Sequence, residues 1–347
     1  MKTIAAILVE TGRPLEIVEL GLPALKAGQV LVEVAYSGVC HTQVLEARGH
    51  RGEDRFLPHC LGHEGSGRVL ETGPEVTKVK VGDTVVLTWL KGHGADVRGS
   101  TYDLGGRTVN AGAITTFMSH AVVSENRLVP LPPAMGVREG ALLGCAIPTG
   151  FGAVLNNLAA SEGRSLAVFG VGGVGLSALM AGAAIGCKPL VAIDINPAKL
   201  EAARRHGATH TIDAAGNPAK ALAEICPSGV DFAIEATGRP DVMTLAFESV
   251  RMKGGHCAIV GNPPHGQKFL VDPMQLIVGK RVTGSWGGET EPDRDVPRFV
   301  DIITRKKVDV GTMLSAPYPL EKINDALNDL EHGVVTRPLI EIKPFSR

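Results

Sequence analysis

The chain has 347 residues, which is long enough for two domains that each bury a hydrophobic core. Apolar residues make up 44% of the chain and charged residues 20%, the balance of a globular protein. Its 35 basic and 36 acidic residues nearly cancel, without a long basic run or interleaved basic and aromatic residues, so nucleic acid is not an expected partner.

The first ~145 residues predict a β-rich domain. Valine-rich runs such as "QVLVEVAYSG", "VGDTVVLTW" and "SHAVVSENRLVPLP" are bounded by Gly, Pro and Asn, which is typical of short strands and turns. The "LPP" and "REGALLGCAIPTGFGAV" that follow predict a turn and then a helical connector.

From Ser165 onward the pattern changes to strands that alternate with helices. Six strands are predicted, "SLAVFG", "PLVAID", "HTID", "DFAIEATG", "HCAIVG" and "RVTGSW", with helices such as "VGLSALMAGAAIG" and "NPAKLEAARRHGA" between them. Because parallel neighbours cannot be joined by a hairpin, this alternation predicts a doubly wound, six-stranded parallel sheet. In "NPAKLEAARRHGA", Asn196 is the expected N-cap and Gly207 follows the predicted end.

After residue 290 the sequence predicts two helices, "DVPRFVDIITRKK" and "LEKINDALNDLEHG", and a closing strand, "RPLIEIKP". These elements are too few for a third domain. We therefore expect a catalytic domain over residues 1–147 that is completed by 290–347, with a nucleotide-binding domain over 148–289.

One segment, Ser165 to Cys187, carries no charge over 23 residues and is long enough to span a bilayer. Its "GVGGVG" interrupts the apolar run, so a buried strand, turn and helix are predicted, and no membrane association. The six cysteines include no C-x-x-C pair, and the N-terminal "IAAILV" is shorter than a signal-peptide core. We expect reduced cysteines and a cytoplasmic location.

The "GVGGVG" run at 170–175 matches the dinucleotide fingerprint G-x-G-x-x-G, between a predicted strand and a predicted helix. Gly170 would make the tight turn, Gly172 would let the backbone approach a pyrophosphate, and Gly175 would let helix and strand pack closely. The pyrophosphate would lie on the amides of this turn and of the helix start, which includes Gly173.

Asp194 ends the next predicted strand, 19 residues after Gly175. A carboxylate there accepts hydrogen bonds from the adenosine ribose hydroxyls and repels a 2′-phosphate, which favours NAD over NADP. Lys199, one turn into the next helix, is also within reach of the ribose. The alternative is that Asp194 only caps that helix.

A cysteine and histidine set indicates a metal site but does not identify its members. Two thiolates and one imidazole would form an open zinc site with a position for water or substrate. Taken singly, His63 of "LGHEGSG" also fits a turn histidine, and Cys40 and Cys145 fit small buried hydrophobic residues. A rival cluster, "HCLGH", contains His59 and Cys60 together with His63.

Several long motifs in one order resemble the zinc-dependent medium-chain dehydrogenases/reductases, and specifically the alcohol dehydrogenases. They are "GVCHT", "GHEGSGRVLETGPEV", "GCAIPTGFGAV", "VFGVGGVGLS", "AIDINPAK", "VDFAIEATGRPD" and "VTRPLIEI", and they span essentially the full chain. The resemblance implies a GroES-like, β-rich catalytic domain and a Rossmann domain. It also implies that Cys40, His63 and Cys145 bind a catalytic zinc, with Glu64 close behind it as an exchanging or supporting ligand.

The same resemblance implies further contacts with substrate and cofactor. Thr42 would bond the substrate oxygen and pass its proton on, and Trp89 would line the substrate pocket. The other implied contacts are to the cofactor: His41 to its phosphates, Thr149 and Val174 to the nicotinamide side, and Arg337 to the pyrophosphate.

Many relatives hold a second, structural zinc with four closely spaced cysteines. The corresponding stretch here, "LTWLKGHGADVRGSTYDLGGRTVNAG", contains none, so we expect one zinc per chain. His93 and Asp96 are possible substitute ligands, although a solvated loop fits them better.

Two further departures concern proton transfer and the zinc histidine. Leu45 stands where several relatives have a histidine that completes a proton relay, so the relay would end at Thr42 and the ribose or run through His50. Gln43 stands where a carboxylate often supports the zinc histidine, and an amide can hold the imidazole without adding negative charge.

The expected activity is reversible hydride transfer from a primary or secondary alcohol to NAD, which yields an aldehyde or ketone. The alternatives are a zinc-dependent dehydrogenase of a polyol or of an aldehyde–thiol adduct, a zinc-free quinone or enoyl reductase of the same superfamily, and a non-catalytic NAD sensor. The family usually forms homodimers or homotetramers, and either is expected here.

Overall fold

The structure, a computed structural model, describes residues 1–345, which divide into two compact units. The first unit comprises Met1–Cys145, Glu291–Val300 and the segment from Gly311 onward. The second unit comprises Ala146–Thr290 and Asp301–Val310. The chain therefore leaves the first unit at Cys145 and returns to it near its end.

Ten strands and two short helices precede residue 145. The strands are β1 (Lys2–Leu8), β2 (Glu16–Gly21), β3 (Gln29–Gly38), β4 (His59–Cys60), β5 (Glu64–Thr72), β6 (Thr84–Thr88), β7 (Thr101–Leu104), β8 (Arg107–Asn110), β9 (His120–Ser124) and β10 (Leu128–Pro130). The helices are α1 (His41–Ala47) and α2 (Val137–Gly140), and a 3₁₀ turn at Ala141–Gly144 follows α2.

The segment from residue 146 to 290 alternates helices and strands. Its helices are α3 (Ala146–Gly152), α4 (Gly173–Ala184), α5 (Pro197–Arg205), α6 (Pro218–Ile225), α7 (Pro240–Glu248) and α8 (Pro273–Ile277). Its strands are β11 (Leu166–Phe169), β12 (Leu190–Asp194), β13 (His210–Asp213), β14 (Phe232–Glu235), β15 (His256–Ile259) and β16 (Arg281–Gly284). The last part of the chain forms α9 (Pro292–Arg305), β17 (Leu314–Pro319), α10 (Ile323–Glu331) and β18 (Arg337–Glu341).

The first unit is built from two antiparallel-rich sheets. One closes into a barrel in the order β1-β2-β7-β8-β4, and the other runs β10-β6-β5-β3-β18-β17, with β9 also paired to β3. Strand β3 is the long central element, since it pairs with β5, β9 and β18. Alternating valines on these strands fill a common core, which includes Val30, Val32 and Val34. The predicted β-rich domain is confirmed.

The second unit contains one six-stranded sheet in the order β13-β12-β11-β14-β15-β16, and every pair in it is parallel. This confirms the predicted doubly wound parallel sheet. The strand order reverses next to β11, and in such sheets the crevice outside the carboxyl ends of the strands at that point is the usual ligand site. The glycine run 170–175 follows β11 directly and lies at that position.

The glycine turn between β11 and α4 has the geometry that its sequence predicts. Gly170 adopts φ +85°, which favours glycine, and a Cβ on Gly175 would lie 1.8 Å from the carbonyl oxygen of Gly170. A Cβ on Gly172 would meet no atom within 4 Å. Gly175 is thus required by packing inside the unit, whereas Gly172 faces open space. The predicted N-cap is confirmed too, because the side chain of Asn196 accepts the amide of Ala198 at 2.9 Å.

Among residues 1–345, none of the helices combines the length and the apolar character that crossing a bilayer requires.

Replacing Gly175 with Ala tests the packing requirement. We expect Gly175→Ala to lower the free energy of unfolding by about 3 kcal/mol, because backbone must move to admit the methyl group. Urea unfolding followed by circular dichroism measures the change. Gly172→Ala is the matched control and should cost less than about 1 kcal/mol, mainly through the loss of a favourable N-cap residue. Equal losses for the two variants would contradict the assignment of Gly175 to packing.

Candidate functional site

Two cysteines and one histidine of the first unit converge on one point. The candidate ligand atoms of Cys40, His63 and Cys145 all lie within 4.8 Å of one another. Cys40 ends the connection from β3 and caps α1, His63 directly precedes β5, and Cys145 interrupts the helical connector before α3. Three separate parts of the chain therefore supply one cluster, and in residues 1–345 no other histidine, cysteine or carboxylate group of this kind is found.

The donor set and its surroundings fit a zinc ion. Two sulfurs and one imidazole nitrogen are the ligands of an open, catalytic-type zinc site, and around a tetrahedral zinc such atoms lie roughly 3.3–3.8 Å apart. The Nε2 atom of His63 is buried and has no hydrogen-bond partner among the described residues. Since buried polar atoms are normally paired, an unpaired nitrogen aimed at two thiols indicates a ligand position.

The two cysteines of the cluster influence each other. The hydrogen bond between them lowers the pKa of Cys40 and raises the pKa of Cys145, and burial disfavours the thiolate form of both. The nearby charges of Arg337 and His63 lower the pKa of Cys40 further. Without a metal the pair therefore favours one thiolate and one thiol, and binding a cation would release the second proton.

Gln43 fixes the orientation of the histidine. Its Oε1 accepts the backbone amide of Cys40 at 3.0 Å, and its Nε2 donates to Nδ1 of His63. This pairing leaves the proton of the neutral ring on Nε2, so a metal at Nε2 would require Nδ1–H to donate to the amide oxygen of Gln43 instead. The amide thus holds one edge of the ring and leaves Nε2 facing the two sulfurs. The expectation that Gln43 can hold the imidazole is confirmed.

Glu64 lies immediately behind the cluster and is enclosed completely. It is fully buried and forms an ion pair with Arg337, which is 2% exposed. Burial raises the pKa of Glu64, and the positive charge of Arg337 opposes that rise. A Cβ on Gly38 would come within 2.6 Å of the Glu64 carboxyl carbon, and a Cβ on Gly144 within 2.7 Å of its Cβ. Gly38 therefore makes room for the carboxylate, and Gly144 makes room for the start of the Glu64 side chain and its backbone.

The contacts of Arg337 differ from those that the resemblance implies. The resemblance assigns it to the cofactor pyrophosphate, and the structure shows its guanidinium bound to Glu64. Its Nε atom is buried without a hydrogen-bond partner among the described residues. The pyrophosphate contact remains a prediction.

A cavity of about 660 Å³ opens beside the cluster, and Thr42, Gln43 and His63 line it. Thr42 Oγ1 lies 3.7 Å from Cys40 Sγ, which places its hydroxyl next to the ligand atoms. The ring of Trp89 packs edge-on to His63, with centroids 6.4 Å apart. Thr42 and Trp89 are thus both brought to the cluster.

The lining of the cavity does not include Leu45, His41 or His50. Leu45 is 7% exposed and belongs to the hydrophobic interior. His41 and His50 are exposed, and neither is among the residues that line the cavity. A proton route through His50 gains no support from this placement.

The rival cluster does not form within residues 1–345. His59 binds Asp54 through Nε2 at 2.8 Å, and its Nδ1 lies 3.1 Å from the carbonyl oxygen of Cys60. Cys60 belongs to the barrel core, and burial raises its pKa to about 12. Among the described residues, His59 and Cys60 do not join His63 in a group of converging ligand atoms.

A carboxylate ties one residue of the segment that corresponds to the four-cysteine lobe of many relatives to the loop before β6. Glu125 accepts the backbone amides of Thr77, Lys78 and Ala95 at 2.6, 2.7 and 2.9 Å. The possible substitute ligands do not converge: Asp96 pairs with Lys91 at the surface, and His93 donates its amide to Asp293.

The candidate cofactor residues of the second unit cluster at the carboxyl ends of β11 and β12. Asp194 is buried at the end of β12, where Oδ2 accepts the amide of Val171 at 2.7 Å and Oδ1 accepts the amide of Asn196 at 2.9 Å. It therefore ties the glycine turn to the next loop, but the N-cap of α5 is Asn196, so Asp194 does not cap that helix, and the ribose role stays a prediction. Each carboxylate oxygen keeps a lone pair for a further donor.

The remaining cofactor candidates lie on helices of this unit. Gly173 and Val174 start α4, and Lys199 is half-buried in α5. Thr149 is buried in α3, and its Oγ1 has no hydrogen-bond partner among the described residues.

Sequence reasoning missed two features of the first unit. The Glu64–Arg337 pair joins residues 273 positions apart, for which no local pattern exists. Glu46 also lines the cavity, and its signal was available, because it lies four residues after Thr42 on a helix and shares its face.

Comparisons with known proteins agree with this arrangement. The alcohol dehydrogenase GroES-like domain family matches residues 26–133, and the zinc-binding dehydrogenase family matches residues 173–305. The chain is 33% identical to an S-(hydroxymethyl)glutathione dehydrogenase of Escherichia coli O1:K1 and 32% identical to one of Photobacterium damsela subsp. piscicida. Each alignment covers 98% of this chain and 100% of the relative.

Two solved structures share the fold throughout. A benzyl alcohol dehydrogenase from Acinetobacter calcoaceticus superimposes with a TM-score of 0.90 at 31% identity, and covers 99% of both chains. An alcohol dehydrogenase zinc-binding domain protein from Burkholderia ambifaria gives a TM-score of 0.90 at 32% identity, over 98% of this chain and 99% of that one. The chain belongs to the zinc-dependent alcohol dehydrogenase family of the medium-chain dehydrogenases/reductases.

Proposed function

We propose that this oxidoreductase oxidises a primary or secondary alcohol to its aldehyde or ketone, reversibly, with NAD as hydride acceptor and one catalytic zinc per chain. The observation that carries the proposal is the convergence of Cys40, His63 and Cys145 on one point beside a cavity. A protein that only senses NAD has no need of this set.

Cys40, His63 and Cys145 would hold the zinc, with Glu64 behind them as supporting or exchanging ligand. Bound zinc supplies a Lewis acid that polarises the substrate oxygen and makes its proton easier to remove near neutral pH. Gln43 orients the imidazole, and Thr42 bonds the substrate oxygen and takes its proton. Trp89, packed against His63, would limit the size of the substrate.

NAD would bind to the second unit, with its pyrophosphate on the amides of the glycine turn and of the start of α4. The open space at Gly172 supports this assignment, because a ligand backbone can approach there without a clash. Asp194 would bond the ribose hydroxyls, with Lys199 beside it. Thr149 and Val174 would contact the nicotinamide side, and His41 and Arg337 the phosphates.

One substrate alternative has support from a relative. The E. coli and Photobacterium relatives are named for S-(hydroxymethyl)glutathione, an alcohol formed from an aldehyde and a thiol. A test panel should therefore contain formaldehyde with glutathione beside simple, aromatic and polyhydric alcohols. A zinc-free quinone or enoyl reductase is disfavoured, because all three ligand positions are filled.

The Cys145→Ser variant tests the metal centre. We expect it to lose bound zinc and turnover of the alcohol panel while it still binds NAD, since Cys145 contributes a sulfur ligand and the nucleotide turn is untouched. Metal analysis, NADH formation and NADH fluorescence report the three properties. Cys226→Ser, a half-exposed cysteine outside the cluster, is the control and should keep all three. Undiminished turnover in Cys145→Ser would refute the metal assignment. Activity of the unaltered protein after a chelator has stripped its zinc would refute it as well.

Replacing Asp194 with Asn tests the choice of cofactor. The amide keeps one acceptor for the loop amides but removes the negative charge that repels a 2′-phosphate. We expect the ratio of kcat/KM for NADP to that for NAD to rise by about tenfold, which corresponds to about 1.4 kcal/mol. Asp213→Asn is a close control, because Asp213 ends the neighbouring strand in register with Asp194. An unchanged ratio in Asp194→Asn, or an equal rise in both variants, would argue against the ribose role.

A further inference from the structure

Glu46 lies one helical turn after Thr42 on α1 and faces the same cavity. Residues four apart on a helix are neighbours, with about 5–6 Å between their Cβ atoms. Both side chains line the 660 Å³ cavity together with His63. Leu45, the preceding residue, is buried in the interior instead. The helix therefore turns an apolar side chain inward at the position of the missing relay histidine and presents a carboxylate to the cavity at the next position.

Among the acidic residues that line this cavity, Glu46 is the one whose carboxylate has no hydrogen bond or ion pair with another described residue. Within residues 1–345 its side chain forms no hydrogen bond and no ion pair. The other two acidic groups that line the cavity are occupied, since Asp54 binds His59 at 2.8 Å and Glu53 lies 3.5 Å from Arg55. A carboxylate without a partner can accept a proton without first breaking an ion pair.

The electrostatic surroundings make the Glu46 carboxylate a stronger proton acceptor than an exposed glutamate. Burial raises the pKa of Glu46, and the positive charges around it oppose part of this rise. A proton carrier works best in both directions when its pKa is near the working pH. The charged and titratable groups that face Glu46 are His59, Arg51 and His63, which lower its pKa, and Asp54, which raises it.

We propose that Glu46 receives the proton that Thr42 takes from the substrate hydroxyl, and returns it when the carbonyl is reduced. This inference rests on the proposed function. For each alcohol oxidised, the carbinol C–H bond breaks and its electron pair leaves as hydride to NAD. The substrate O–H bond breaks, its proton passes to Thr42 Oγ1, and the proton of that hydroxyl passes to a carboxylate oxygen of Glu46, directly or through one water. Glu46 then releases one proton to solvent through the open cavity.

Glu46 is a positioning residue, because it acts on the substrate only through Thr42. The pH dependence of kcat is the measurement that tests this role. In the unaltered protein, kcat should fall as the pH drops through the raised pKa of Glu46, because the protonated carboxyl cannot accept a second proton. Glu46→Gln should remove this acid limb and lower the plateau by about tenfold, below the range for a group that transfers the proton directly. Glu46→Asp, which keeps a carboxylate, should retain the limb.

Glu53→Gln is the matched control, because it removes a negative charge at the exposed edge of the same cavity, and it should keep the profile of the unaltered protein. A Glu46→Ala variant provides a second test, since added formate should restore its turnover in proportion to concentration. Zinc content and NADH fluorescence should stay unchanged in all variants. The relay would be overturned if Glu46→Gln kept the acid limb of its pH profile. If the unaltered protein still oxidised alcohols, the proposed function would stand. No NAD-dependent turnover by the unaltered protein on any substrate would overturn both.

Discussion

The buried ion pair between Glu64 and Arg337 is the constraint around which the first unit is arranged. Removing one member of such a pair typically costs 3–5 kcal/mol, since a charge is left buried without a partner, whereas replacing both by apolar side chains is often neutral. The pair is therefore better explained by the position that it gives to the Glu64 carboxylate than by a contribution to the free energy of unfolding. It fixes the carboxylate directly beside His63, and it joins the start of β5 to the start of β18, the last strand of the chain among the described residues.

The glycines at 38 and 144 complete this arrangement from the other side. Both stand close to a cluster cysteine, and both would collide with Glu64 if they carried a side chain. The two cysteine segments can therefore approach Glu64 closely only because each has a glycine there, Gly38 beside the carboxylate and Gly144 beside the Cβ and the backbone. The close packing of the cluster thus depends on these two glycines.

The parts of the molecule that could be predicted from the sequence are those whose physical requirement is local. A glycine turn, an N-cap and the alternation of strands with helices all leave a signature within a few residues, and each was found where expected. The short strand β17 was missed because its sequence, "LSAPYP", contains two prolines, which fit a strand only where the ladder can lose a donor. It lies at the edge of its sheet, where that condition is met.

The functional cluster could be predicted only with help from a resemblance. Cys40, His63 and Cys145 share no spacing rule, and taken one by one each fits a structural role as well. The contact of Gln43 with His63, and the orientation of Glu46 toward a cavity, depend on how α1 packs, which local sequence does not specify. Helical spacing shows that Thr42 and Glu46 share a face, but only the fold shows what that face meets.

The anchoring of the segment near residues 77–95 has a consequence for how this protein would fail under stress. Many relatives hold a zinc in this lobe, whereas here the Glu125 carboxylate ties Ala95 of the lobe to Thr77 and Lys78 in the loop before β6. Burial acts to raise the pKa of Glu125, but these amide bonds outweigh it and leave the pKa below its usual value. A depressed folded-state pKa means that the stabilisation is present above the ordinary glutamate range and is lost as the pH falls through the lowered value. The vulnerable condition for this anchor is therefore acid, which protonates Glu125 and weakens its hold on the three amides.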